Sequence, residues 1–341
     1  MPGATPAVTA LRRIAFLLER AHEPTYRVRA FRRAAETIGG LSPEELSRRI
    51  GEGTLEQLPG IGDVTARVVT EAQSGEVPVY LRRLEATDGV PVAEGAAALR
   101  QALRGDCHAH SDWSDGGSPI AEMAETAREL GHQYMVLTDH SPRLKVAHGL
   151  TAQRLREQLG VVARLNVELA PFRILTGIEV DILDDGSLDQ EPDLLAALDV
   201  VVASVHSELR MPAPEMTRRM VTAIANPHTD VLGHCTGRIV VGRGRPESEF
   251  DPEQVFEACR RHDVAVEINS RPERLDPPKQ LLRLAVEAGC HIAIDSDAHA
   301  PGQLDWQMNG CERAAACGVS VDSVVNSWSA DQLVSWAASR R

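Results

Sequence analysis

A metal-type side chain stands at the exit of one short apolar run after another between residues 108 and 299. His108 and His110 close the first run, and Asp297 and His299 close the last. Between them, residues 134–138 lead into Asp139-His140, 174–178 into Glu179, 200–205 into His206 and 231–233 into His234. A single His-x-His pair arises often by chance, but a succession of strand-like runs that all end this way does not. Parallel strands closed into a barrel bring their C-terminal ends to one rim, so this spacing points to a barrel whose rim holds a polynuclear metal site.

The rest of the chain supports that architecture. Strand-like runs near 103–110, 134–138, 174–180, 200–205, 231–234, 264–269 and 292–296 alternate with helical stretches at 119–131, 151–169, 190–198, 213–226, 252–262, 278–289 and 308–317. Strands alternating with helices imply an α/β fold with parallel strands. A doubly wound sheet would gather ligands at one switch point, whereas these are spread over nearly every strand, which favours a distorted seven-stranded (β/α)7 barrel.

Ahead of the barrel, residues 7 to about 85 read as short helices. Leu11, Ile14 and Leu18 mark one apolar face, and Val28, Phe31, Ala35 and Ile38 mark another. Ser42-Pro43-Glu44-Glu45 starts a further helix with a cap, a first-turn proline and acids. Leu58-Pro59-Gly60-Ile61-Gly62-Asp63 then reads as a hairpin between two helices. The expected organisation is a helical domain over 1–90, a linker over 91–103 within a Gly-, Pro- and Ala-rich region, and the barrel over 104–341.

Composition removes several function classes. No apolar run approaches the roughly 18 residues of a membrane span, and the first 30 residues carry Arg12, Arg13, Glu19, Arg20 and Glu23 where a signal peptide would be apolar, so a cytoplasmic protein is expected. Six cysteines form no CxxC pair and read as reduced packing thiols; alternation along a strand should turn Cys107 and Cys235 away from the neighbouring ligands. A net charge of −13 argues against binding nucleic acid through bulk positive charge. Bound divalent cations would still put positive charge where a phosphate must sit.

Nine residues are candidate ligands: His108, His110, Asp115, His140, Glu179, His206, His234, Asp297 and His299. Six imidazoles and three carboxylates suit zinc, manganese or iron and fit calcium or magnesium poorly. They are too many for one ion and fit two or three, with a carboxylate as bridge. Such a cluster generates hydroxide at neutral pH and clamps the oxygens of a displacement at phosphorus. His132, His262 and His291 lie at helix ends and are left out, as are His22, His148 and His228. For phosphate contacts, Arg238 and Arg271 lie closest to strand ends, and Lys145 could reach the same rim; Arg243, Arg245 and Arg274 read as solvated loop charges.

Taken together, Asp106-Cys-His-Ala-His110, Ser114-Asp-Gly116, Thr138-Asp-His-Ser141, Gly177-Ile-Glu179, Ser204-Val-His206, Gly233-His-Cys-Thr-Gly-Arg238, Glu267-Ile-Asn269 and Ser296-Asp-Ala-His299 resemble the PHP (polymerase and histidinol phosphatase) domain. Within it, the chain looks most like the PHP domain at the end of bacterial family X DNA polymerases. That resemblance implies a seven-stranded barrel with three divalent metal ions and a metal-bridging hydroxide as nucleophile. The first metal would take His108, His110, Glu179 and Asp297, the second Glu179, His206 and His234, and the third Asp115, His140 and His299, with Glu179 as bridge.

The N-terminal part is similar to the small helix-hairpin-helix domain of the same polymerases, which implies DNA contact through Gly60, Ile61 and Gly62. Between hairpin and barrel there is room for a linker only, so no polymerase palm is expected. The only lysines are Lys145 and Lys279, so the lysine chemistry of a deoxyribose-phosphate lyase is not expected either. The resulting expectation is a phosphoesterase acting on DNA 3′ ends, as a 3′–5′ exonuclease or 3′ phosphatase. The rivals are a small-molecule phosphomonoesterase such as histidinol phosphatase, and a non-catalytic DNA-binding scaffold. Nothing in the sequence fixes the oligomeric state.

Overall fold

The computed structural model describes residues 5–86 and 93–341. The chain divides into two compact units, Met1–Pro91 and Val92–Arg341.

In the first unit, helices α1 (Pro6–Arg20), α2 (Thr25–Gly39), α3 (Pro43–Glu52), α4 (Asp63–Gln73) and α5 (Val79–Ala86) follow one another. The apolar stripes read from the sequence are the buried faces: Leu11, Ile14 and Leu18 of α1 are fully buried, and Phe31, Ala34 and Ile38 of α2 join them. The turn entering α4 depends on glycine. Gly60 has φ +81°, and a Cβ there would lie 2.4 Å from the Cγ and Cδ of Arg33. Its positive φ disfavours a side chain, and the exposed Arg33 would have to shift to admit one.

The second unit opens with helix α6 (Glu94–Ala102), which buries Ala96 and Leu99 and packs against α13 (Gln307–Ala316). Residues 94–102, assigned to a linker from composition, are therefore a helix of the barrel unit; Ala96 and Leu99 give it an apolar face to bury. The earlier part of that expected linker, up to residue 92, lies outside the described residues.

Strands β1 (Gly105–Ala109), β2 (Tyr134–Leu137), β3 (Arg173–Asp181), β4 (Val200–Ser204), β5 (Val231–Leu232), β6 (Ala265–Asn269) and β7 (Ile292–Asp295) pair in sequence order, every pair parallel. At the seam Ala109 and Ala298 bridge in parallel and the His110 amide donates to Ala298 O at 2.8 Å, so the sheet nearly closes. Helices α7 (Ile120–Glu129), α8 (Ala152–Leu169), α9 (Pro192–Leu195), α10 (Ala213–Ile224), α11 (Pro252–Arg261) and α12 (Lys279–Glu287) follow their strands in turn, and α14 (Ala330–Ala338) ends the chain. Among the described residues, no helix is long and apolar enough to cross a membrane.

Two alternating sets of side chains build this unit. Val201 and Ala203 of β4 face outward and pack with Met216 and Met220 of α10, while Val200 and Val202 face inward with Tyr134, Leu175, Val231, Ala265 and Ala293. Val325 and Leu333 join this inner layer from the C-terminal segment. The barrel is thus a filled core, and its polar residues lie further along the strands.

Candidate metal centre

The same alternation carries carboxylates inward near the C-terminal ends of the strands. On β3 the inward set runs from Leu175 to Glu179 and Asp181, and on β6 from Ala265 to Glu267 and Asn269. β1 departs from it: its register with β2 shifts between Asp106 and Ala109, a bulge. Cys107 therefore faces the inner core although the adjacent His108 joins the centre, which corrects the expectation from alternation. Burial and the neighbouring Asp295 carboxylate push the Cys107 thiol pKa well up, so it remains a packing thiol. Just past β7, Asp297 takes φ +52°, a left-handed conformation that aspartate enters more readily than most non-glycine residues.

All nine candidate ligands converge. Glu179 is the hub: its Oε2 lies 2.9 Å from His140 Nδ1, 3.3 Å from His108 Nε2 and 3.6 Å from His110 Nε2. Its Oε1 lies 2.8 Å from His234 Nε2 and 3.2 Å from His206 Nε2. Asp297 Oδ1 stands 3.3 Å from His110 Nε2 and 3.9 Å from His108 Nε2. Asp115 Oδ1 lies 3.3 Å from His299 Nε2 and 3.5 Å from His140 Nε2.

Three sets of these atoms are close enough to share an ion: His108, His110 and Glu179; His140, Glu179 and His206; and His110, Asp115, His140 and His299. These sets differ from the allocation implied by resemblance: His110 and His140 each fall in two of them and His234 and Asp297 in none, with His140 turning one ring nitrogen to Glu179 and the other to Asp115. A neutral imidazole has a single lone pair, so His140 can serve one of the two sets.

The donor set fits metal ions. Facing Glu179 or belonging to it, His108 Nε2, His110 Nε2, His140 Nδ1, His206 Nε2 and Glu179 Oε2 are buried without a hydrogen-bond partner. Polar atoms in a protein interior are seldom left unpaired, and a cluster of them around one point is what cation ligands look like in a structure without ions.

Residues behind the imidazoles orient them, and sequence reasoning did not give these residues that role. Glu267 Oε1 lies 2.6 Å from His108 Nδ1, Asp181 Oδ1 accepts from His206 Nδ1, and the Asp297 carbonyl lies 2.9 Å from His299 Nδ1. The carboxylates on His108 and His206 favour the tautomer that leaves Nε2 with its lone pair toward the centre, whereas His299 Nδ1 lies 2.9 Å from both the Asp297 carbonyl and Arg271 Nη1. The available signal was an acid two residues from another polar residue on an otherwise apolar strand: Asp181 after Glu179, and Glu267 before Asn269. Asp139, beside His140, instead ties the loop after β1 to α8, accepting from the Ser111 amide at 2.8 Å and from Gln158 Nε2 at 2.6 Å.

Electrostatics follow from crowding. Burial disfavours charge on every member, yet His108, His206 and His140 hold Glu179 well below the usual carboxylate range, and Arg271 and His108 do the same for Asp297. Burial alone would lower His206, but Glu179 and Asp181 outweigh it and raise its pKa to about 9. His110 has burial and the neighbouring His299 and His140 against protonation, and falls to about 3. The carboxylates are thus ionised, and neighbouring imidazoles divide between charged and neutral forms.

The expected phosphate contacts divide. A cavity of about 400 Å³ is lined by Asp115, His140, Glu179, His206, Asp297 and His299 together with Arg271 and Arg274. Arg271 lies 2.9 Å from His299 Nδ1 and is held by Glu273 at 3.4 Å. Arg274, expected to be a solvated charge, places Nε 3.4 Å from Asp297 Oδ2, and its buried Nη1 has no hydrogen-bond partner.

Arg238, expected to bind phosphate, is turned elsewhere. It donates to the carbonyls of Arg274 and Leu275, lies 3.2 Å from Glu247 and lines a separate depression. Loop carbonyls without strand partners claim its guanidinium. Lys145 is exposed at the start of a 3₁₀ turn whose Val146 and Ala147 line the metal cavity, but it does not line the cavity itself. In the hairpin of the first unit, Ile61 is 7% exposed and its amide donates to Leu58 O, while the Gly62 amide donates to Thr65 Oγ1 at 2.9 Å. The Ile61 side chain is therefore a core anchor, and any DNA contact at this position would be made by backbone.

Known proteins agree with this layout. Residues 4–76 match the helix-hairpin-helix domain and residues 106–271 the PHP domain. The DNA polymerase/3'-5' exonuclease PolX of Bacillus subtilis (strain 168) is 44% identical over 224 residues, which cover 66% of this chain but only 39% of that protein. A probable phosphatase of Thermoanaerobacter sp. (strain X514) is 30% identical over 232 residues, covering 65% of this chain and 89% of its own length. The solved histidinol phosphate phosphatase of Lactococcus lactis subsp. lactis Il1403, complexed with zinc, L-histidinol and phosphate, is 17% identical with a TM-score of 0.46 and covers 64% of this chain and 94% of its own. That likeness is too slight to carry its ligands across. With its barrel, its ligand-type rim and these relatives, the chain belongs to the PHP-domain family of phosphoester hydrolases, with a helix-hairpin-helix domain ahead of the barrel.

Proposed function

We propose that this protein is a metal-dependent phosphoesterase acting on DNA 3′ ends, as a 3′–5′ exonuclease or a 3′ phosphatase. The observation that carries the reading is the cluster of buried, unpartnered ligand atoms around Glu179 beside an unpartnered arginine nitrogen. Three divalent ions, zinc, manganese or iron, would be held by His108, His110, Glu179 and Asp297, by Glu179, His206 and His234, and by Asp115, His140 and His299. Such ions, when bound, make water nucleophilic at neutral pH and offset charge on the oxygens at phosphorus.

The chain's own residues do the positioning. Arg274, which lines the cavity, and Arg271, braced by Glu273, place guanidinium charge for a phosphate at the same wall. Glu267 and Asp181 keep the imidazoles from turning. The DNA part of the reading is supported by the helix-hairpin-helix domain, where the glycine turn at Gly60 and Gly62 lets backbone at the start of α4 approach a phosphate. The domain arrangement proposed is 1–90, a short connection, and the phosphoesterase barrel to residue 341. Six buried, unpaired cysteines suit a reducing cytoplasm.

A small amino-bearing phosphate ester suits the cavity less well. Outside the ligand set, Glu273 is the one carboxylate among its described lining residues, and Arg271 already engages it. The test is hydrolysis of a 3′-labelled oligonucleotide and of histidinol phosphate by the full chain and by a chain lacking residues 1–86. The expected result is a DNA 3′-end activity that falls at least about tenfold in kcat/KM on deletion, while slow small-ester turnover persists as a sign of a folded barrel. Robust histidinol phosphate turnover without DNA cleavage would overturn the reading.

A further inference from the structure

We infer that the mouth of the metal-lined cavity receives the base of the terminal nucleotide between two apolar loops, a substrate contact that rests on the DNA-end reading above. Leu144, Val146 and Ala147 contribute one wall, and Ile239 and Val241 the other. Val146 is 86% exposed, more than any other large apolar side chain among the described residues, and Val241 is 46% exposed. A lone exposed valine needs no explanation, but apolar side chains from two separate loops lining one cavity with the candidate ligands form a directed patch.

The second wall is a built element. The Ile239 amide donates to Arg245 O at 3.0 Å, the Arg245 amide returns to Ile239 O at 2.8 Å, and the Val240 amide donates to Glu273 O at 2.7 Å. Gly242 and Gly244, both at φ +64°, turn the hairpin between them. The occupant must carry phosphate at one end, to meet Arg271 and Arg274, and an uncharged apolar face at the other. An ammonium group would find no unengaged carboxylate there, whereas both faces of a nucleobase suit aliphatic walls. Lys145 and Arg243, both exposed on these loops, add charge for a neighbouring phosphate.

The test compares two oligonucleotides that differ only in the last residue, one ending in 2-aminopurine and one in an abasic sugar. Their kcat/KM ratio is measured for the wild type, for the Val146→Ser/Val241→Ser double variant, and for Val167→Ser, whose side chain is 81% exposed on α8 outside the cavity. Fluorescence of the 2-aminopurine strand, with an uncleavable terminal linkage, reports base binding independently of turnover. The wild type is expected to favour the base-bearing end by about fivefold or more, the double variant to lose most of that preference together with the fluorescence change, and V167S to keep both. Equal wild-type rates on the two strands, or a double variant that retains the preference, would remove the base contact and leave the DNA-end reading intact. Small-ester hydrolysis with neither strand cleaved would remove both.

Discussion

At the scale of single residues, Glu179 is the member whose loss no neighbour can replace, because its two oxygens face five imidazoles. Glu179→Gln is expected to lower bound metal and to cut phosphoester turnover by at least about a hundredfold, read by elemental analysis and steady-state kinetics. Glu267→Gln acts one bond further out. It leaves every candidate ligand in place but weakens the acceptor that fixes His108, so metal affinity should fall by about 10–100-fold, measured by competition with a chelating dye.

Protons compete with the ions for the same nitrogens. His206 in the metal-free chain has its pKa raised from 6.5 to about 9, so its contribution to stability is fully present below 6.5 and is lost as pH rises through 9. Thermal melts of chelated protein should therefore decline over that window, whereas metal affinity should climb as the proton leaves. A melting temperature of chelated protein that rises between these pH values would contradict the assignment of His206.

At the scale of elements, Arg238 and Arg274 separate cleanly. Arg238 ties down the carbonyls of Arg274 and Leu275, so Arg238→Ala should lower thermal stability by about 1–2 kcal/mol, while Arg274→Ala should mainly raise KM. A kinetic comparison under conditions where both variants are folded distinguishes them. In the hairpin of the first unit, Gly60→Ala meets a positive φ and the side chain of Arg33 and should cost about 1–2 kcal/mol, read by denaturant unfolding.

These elements also show how far the sequence could be read. The strand exits were legible because ligand-type residues interrupt apolar runs at a fixed place, and β2, β4, β6 and β7 begin and end within a residue or so of where their runs do. Arg238 misled because nearness to a strand end says nothing about which loop carbonyls lack partners. Cys107 misled because a bulge resets alternation, and α6 was missed because its composition resembles that of a linker. The orienting roles of Asp181 and Glu267 emerge only once the barrel brings residues from different strands face to face.

At the scale of the whole molecule, a chain of net charge −13 would, in the proposed function, meet a polyanion through bound cations and the arginines at one mouth. Its helical unit, to residue 91, has 12 arginines against 12 acids, so its grip on DNA would rest on backbone geometry at the hairpin more than on a basic surface. The barrel contributes a filled apolar interior that sets the heights at which Glu179, Glu267 and Asp297 emerge. The most direct test of the account is elemental analysis of the purified full-length protein by mass spectrometry. Two to three zinc, manganese or iron ions per chain, reduced in Glu179→Gln, is the predicted result; a stoichiometry near zero that added metal does not restore would contradict it.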